Sequence, residues 1–172
     1  MKLLTKTLIA ASILLAFSLN AKSQVSATAN ATAEIVAPIA IAVNTNLDFG
    51  RIIRSVAPGT VDIATDGTPT YNGGVAAGAG GATITAATFD VSGTAGYTYA
   101  ITAPLATDVI TLTDGTNTMT VTSFVRDPAG NGTLDGAGNE TISIGGTLSV
   151  AAGQATGTYT NTTDLTVTVN YN

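Results

Sequence analysis

Residues 161–172 read NTTDLTVTVNYN. Leu165, Val167, Val169 and Tyr171 are apolar, and Thr166, Thr168 and Asn170 between them are polar. Successive side chains of a strand point to opposite faces, so this period of two predicts a strand with one face buried. Thr, Val and Tyr suit a pleated, half-buried surface. The pattern raises the question of what such a strand pairs with.

Upstream the same period recurs with almost no interruption. ETISIGGTLSV (140–150) places Ile142 and Ile144, then Leu148 and Val150, with Gly145–Gly146 read as a break between two strands. VITLTDGTNTMTVTSFV (109–125) reads as a hairpin: Ile110 and Leu112, a turn at Asp114–Gly115, then Met119 and Val121. GYTYAIT sets Tyr97, Tyr99 and Ile101 on one side, and TITAATFDV runs to Phe89 and Val91. TVDIAT places Val61 with Ile63, and LDFG (47–50) and PIAIAV (38–43) precede it. In QVSATANATAEI (24–35), Val25, Ala27, Ala29, Ala31, Ala33 and Ile35 share a face. YNGGVAAGAGG (71–81) reads as a flexible loop by composition. No stretch after residue 23 sustains a 3.6-residue stripe. Many short alternating strands with frequent turn signals predict an all-β fold: an immunoglobulin-like antiparallel β-sandwich of about seven to nine strands.

The first residues belong to a different class. In MKLLTKTLIAASILLAFSLNAKSQ, Lys2 and Lys6 precede an apolar run from Thr7 to Leu19, and Ala21 and Ser23 are small residues before Gln24. This is the pattern of a secretory signal peptide over 1–23. The run is shorter than the ~18–20 residues that span a bilayer, so no stable membrane span is expected in the mature chain. A single sandwich domain is expected over 24–172. Its three arginines and eleven acids, with no lysine, give a net charge of −8. That charge argues against nucleic acid and anionic membrane surfaces as partners. The expected location is secreted: periplasm, cell surface or extracellular space. With no cysteine, the domain relies on burial and sheet hydrogen bonds rather than on disulfides.

The chemical inventory is thin. No His, Cys or Trp occurs, and no Lys follows residue 22. Imidazole and thiol chemistry, as nucleophile, base or metal ligand, is therefore excluded. The glycines at 73–81 lack the Lys and following helix of a phosphate cradle. Two carboxylates suffice for glycoside chemistry, but no spacing among Asp48, Asp90, Asp127, Asp135 and Glu140 selects a pair. No catalytic residue and no cofactor site is assigned, and the protein is expected not to be an enzyme. RDPAGNGTLDGAGNE (126–140) gathers hard oxygen ligands for a cation such as calcium: Asp127, Asn131, Asp135, Asn139 and Glu140. The same residues are ordinary turn formers. Arg51 and Arg54 are expected to form surface ion pairs with acids such as Asp48.

LDFGRI, ATFDVSGTAGYTYAIT, ISIGGTLSV and GTYTNTTDLTVTVNY together resemble a bacterial secreted family known as domain of unknown function 4402. A looser likeness is to pilin subunits of chaperone–usher fibres and to spore-coat-U-like domains. Those are secreted immunoglobulin-like sandwiches whose last strand alternates, follows a glycine and carries a tyrosine next to last. Gly157, the face from Leu165 to Val169, and Tyr171 are similar here, as is LDFG. The pilin resemblance implies self-assembly or assembly with related subunits, with a periplasmic chaperone as a further partner. Leu165, Val167, Val169 and Tyr171 would then form an assembly strand. Residues 24–36 would form a donor segment that adds a strand to a neighbour's open edge. The alternative pairing, in which 24–36 is the first strand of its own sandwich, explains the alternation equally well. The functional expectation is a non-catalytic, secreted structural protein, a pilin-like subunit of a surface fibre or matrix. The alternative is a monomeric secreted module that binds carbohydrate or another surface component through the 66–81 and 127–140 loops.

Overall fold

The computed structural model describes residues 24–81 and 83–172; the expected signal peptide lies outside the described residues. Ile35–Asn172 forms one compact unit, and residues 24–34 belong to another. The larger unit is an all-β, antiparallel sandwich. Among the described residues its ten strands are β1 (Ala40–Thr45), β2 (Ile52–Ile63), β3 (Pro69–Ala77), β4 (Ala87–Ser92), β5 (Thr98–Thr102), β6 (Ile110–Thr113), β7 (Thr118–Asp127), β8 (Gly132–Thr133), β9 (Asn139–Val150) and β10 (Thr168–Tyr171). No helix long and apolar enough to cross a membrane occurs among the described residues.

β9 is the spine. One of its edges pairs with β4 through Asn139–Ile144 and then with β2 through Gly146–Val150, while β7 lies along the other edge. β1 pairs with β4, β3 with β2, and β6 with β7, which completes a seven-stranded sheet. A smaller sheet runs β10-β5-β8. Between the sheets lie the inward residues of the alternating pattern, with Val61, Ile63, Val91, Tyr99, Val121, Leu134, Ile142 and Ile144 at 2 % exposure or less. Each aliphatic side chain so buried contributes about 1.5–3 kcal/mol of transfer free energy. Among the described residues no charged, amide or Ser/Thr side chain is buried, whereas Tyr99 carries its hydroxyl into the core.

Two expectations about the strands need correction, and both concern glycine pairs. Gly145–Gly146 does not break the strand, because β9 runs through it. At this point β9 changes partner from β4 to β2. A Cβ on Gly145 would run into the Ile63 carbonyl, where β2 ends. One on Gly146 would press on Val121 and Phe124. The glycines admit a close backbone approach rather than a turn. Likewise 71–77 is not loop but β3, paired with β2. Gly73, opposite Gly59, has φ +72° and a Cβ on it would meet the Pro58 carbonyl, and Gly74 lies against the Ala57 carbonyl, where β2 bulges between Arg54 and Gly59. The turn lies earlier, at Asp66–Gly67, where the Asp66 Oδ1 accepts from the Thr68 N–H at 2.8 Å and Gly67 has φ +80°. The 109–125 hairpin forms as expected, with Ile110 opposite Val121 and Leu112 opposite Met119.

Candidate functional site: an apolar groove and two alternating segments

The two sheets do not match in width. Three strands face seven, so part of the large sheet's inner face is covered by irregular chain instead. A part-open cavity of about 850 Å³ remains there. Its floor is the inner face of β4, β9, β7 and β6, through Phe89, Leu148, Val150, Val121, Phe124 and Ile110. One wall is the end of β1 and the chain after it, residues 43–54; the other is residues 154–165.

LDFG builds the first wall. Phe49 is buried and Leu47 half-buried. Asp48 forms an isolated bridge with Thr85, with N–H to O distances of 3.0 Å in both directions. The Asp48 Oδ1 accepts from the Gly50 N–H at 2.7 Å, and Gly50 takes φ +66°. That turn corrects the expected ion pair. The Asp48 carboxylate caps its own turn, and Arg51 instead donates Nη1–H to the Ala79 carbonyl at 3.1 Å. The Arg54 guanidinium makes no hydrogen bond or ion pair with the described residues, although its backbone pairs with Val75. Both arginines line the groove at this wall.

The second wall is pinned to the β6–β7 hairpin. Thr160 bridges Thr113 through paired N–H to O bonds of 2.9 and 3.0 Å, and Asn161 donates to the Thr111 carbonyl at 2.9 Å. Gln154 donates to the Thr118 carbonyl at 3.1 Å and to the Tyr159 hydroxyl at 2.9 Å, and that hydroxyl donates to the Ala155 carbonyl. Gly157 lies where a Cβ would stand 2.9 Å from the Asp114 carboxylate. The N–H and side-chain amide of Asn117, with the Thr116 N–H, hold the Asp114 pKa down to about 2.

The strand at 168–171 pairs within its own chain, which answers the question its pattern raised. Thr168–Tyr171 pairs with β5, with Val169 opposite Ile101 and Tyr171 opposite Tyr99. The regular strand covers only the last part of the alternating run, yet the whole face turns inward. Val167 is in the core, and Leu165, Val169 and Tyr171 pack against it. The Tyr171 hydroxyl accepts from the Thr94 N–H at 2.7 Å and donates to the Ala37 carbonyl at 3.1 Å. Its ring meets Tyr97 edge-on at 5.6 Å, and Gly93 leaves room for the hydroxyl. β10 is an edge strand of the small sheet.

The segment at 24–38 contrasts with this. Its residues are all exposed and lie in no strand, so β1 is the first strand of the sandwich among the described residues. Val25 is 88 % exposed and Ile35 96 %. Between them Ala27, Ala29, Ala31 and Ala33 present one side-chain carbon each. The middle of the run therefore offers little apolar surface, and its larger side chains stand at the two ends.

The 126–140 residues are brought together only in part. The Asp135 Oδ1 accepts from the N–H groups of Ala137 and Asn139, both at 2.8 Å, and these bonds hold its pKa below the usual carboxylate range. The Glu140 Oε2 accepts from the Thr133 N–H at 2.7 Å and also lies beside Tyr99, whose phenol is pushed up mainly by burial. Asp127 sits at the end of β7 opposite Ser143. Among the described residues no three acids gather in a way that would hold a metal ion. Asp90, another of the candidate acids, accepts from the Thr141 hydroxyl at 3.0 Å on the outer face of β4. Sequence reasoning misses the groove walls at 51–54 and 154–162 as a site; the G-x-Y of Gly157 and Tyr159 is the available signal.

No curated protein and no solved structure matches the chain. The sequence profile of the family described as Domain of unknown function (DUF4402) matches residues 39–171, the span from just before β1 to the end of β10, and the chain belongs to that family.

Proposed function

We propose that the protein is a non-catalytic, secreted structural subunit that assembles with copies of itself. Residues 24–36 of one copy add a strand in the groove of the next. The observation that carries this reading is the groove itself, an apolar slot over the large sheet that no strand among the described residues fills. Its floor is aliphatic and aromatic. β1, an edge strand of the large sheet, borders it with Val43, which is 62 % exposed. The exposed, alternating segment at 24–36 supports the same reading, since it has odd-numbered apolar residues for the floor and mostly polar even-numbered residues for the rim. An added strand gains backbone hydrogen bonds from an unpaired edge and buries alternate side chains. On this reading Leu165, Val167, Val169 and Tyr171 serve assembly indirectly, by holding the small sheet beside the groove.

The test is the molar mass of residues 24–172 by light scattering after periplasmic expression, with an unheated SDS gel alongside. The expected result is an SDS-resistant ladder that an Ala29→Asp substitution removes, because the change places a charge against the apolar floor. A clean monomer at all concentrations would overturn the reading.

A further inference from the structure

Assembly of this kind needs a direction and a register for the incoming segment, and a face of four alanines specifies neither. We infer that Glu34 of one copy pairs with Arg54 at the groove of the next, and that this ion pair fixes both. The inference rests on the proposed function above.

Three observations carry it. First, the chain from residue 24 onward has three arginines, and they are not equivalent. Arg126 donates to the carbonyls of Ile101 and Ala129 at 2.9 and 2.8 Å. Arg51 donates to Ala79, and its stem lies against Gly78 and Gly81. Arg54 has no such partner among the described residues, although it lines the groove in an acidic protein. Second, Glu34 is the single charged residue of 24–36. Third, the alternation places Glu34 on the face opposite Ile35 and Ala33. With the odd residues on the groove floor, Glu34 points to the rim, where the exposed Arg54 stands. With Glu34 at the arginine wall, Ala33 to Val25 run away from it along the floor. The opposite direction, or a shift by two residues, leaves Glu34 without Arg54.

The test uses residues 24–172 with Glu34→Arg, with Arg54→Glu and with both changes. Assembly rate is followed by light scattering, and thermal unfolding of the freshly isolated monomer reports folding. Each single reversal is expected to slow assembly about fivefold, the scale of a partly exposed ion pair turned repulsive. The double variant is expected to recover most of the rate. Unfolding temperatures should stay unchanged, because both residues are exposed. Single variants that assemble like the parent, or a double variant as slow as the singles, would overturn the ion pair while leaving the assembly intact. A parent chain that stays monomeric would overturn the assembly itself.

Discussion

The alternating segments at 25–35 and 165–171 share a period and differ in fate. From Val25 to Ile35 the odd residues are apolar, and all of them are exposed. From Leu165 to Tyr171 the odd residues are apolar too, and all of them are half-buried or buried. The difference lies in what each face has to bury. The later segment carries Leu, two Val and Tyr, whereas the middle of the earlier one carries only alanine. At about 25 cal/mol per Å² of apolar surface, or ~0.8 kcal/mol per methylene, four methyl groups offset little of the entropy lost on ordering a strand. The later segment has larger side chains and a specific lock, the Tyr171 hydroxyl between Thr94 and Ala37. Period sets which face can be buried, and side-chain size sets whether burial outweighs the ordering.

A charge placed in each segment tests that contrast most strongly. Val167→Asp puts an unpaired carboxylate in the core and is expected to cost about 3 kcal/mol or more in urea unfolding. Ala29→Asp is expected to change the same stability by less than about 0.5 kcal/mol, because the position is exposed. Similar losses at both positions would mean that 24–36 stabilises its own sandwich. A more modest effect isolates the lock. Tyr171→Phe keeps the ring beside Tyr97 but removes the hydroxyl from both of its partners, which should cost about 1–2 kcal/mol of stability. Chemical denaturation of this variant measures it directly, and an unchanged midpoint would show that the strand at 168–171 is held by packing alone.

The weakest effect depends on pH and concerns the wall that leads into that strand. Asp114 binds its proton less readily in the folded chain, at about 2, than at its ordinary value of 3.8. Its contribution is therefore fully present above pH 3.8 and is lost as the pH falls through about 2. Asp114→Asn should remove that part of the acid dependence. The gap between parent and variant in urea midpoint should then narrow from about pH 5 down to about pH 2. A constant gap over that range would mean that the carboxylate's charge does not matter to the turn.

Much of the fold is legible in the sequence because β-structure writes its faces into alternate residues. Phe89 and Val91, Ile110 and Leu112, Met119 and Val121, and Ile142 and Ile144 each share a face by period, and all except Leu112 are buried. The glycine pairs mislead because composition alone does not separate a turn from a close approach. Parity does give a clue at Gly145–Gly146: Ile142, Ile144, Leu148 and Val150 keep the same parity across the pair, as a continuous strand requires. No such clue marks Gly73–Gly74, where the need for glycine comes from the β2 bulge opposite.

Local period and residue type were enough for the all-β class, the inward faces, the 109–125 hairpin and the exclusion of imidazole and thiol chemistry. They were not enough for the pairing. That β9 links β4 to β2, that β10 pairs with β5, and that the Asp48 carboxylate caps its own turn at Gly50 emerged only in three dimensions. The groove belongs with these, since its floor, its walls and the Arg54 guanidinium at its edge come from residues far apart in the chain. A strand's pattern specifies which side faces the core, but not its neighbour, because pairing depends on long-range hydrogen bonds that any alternating strand can make.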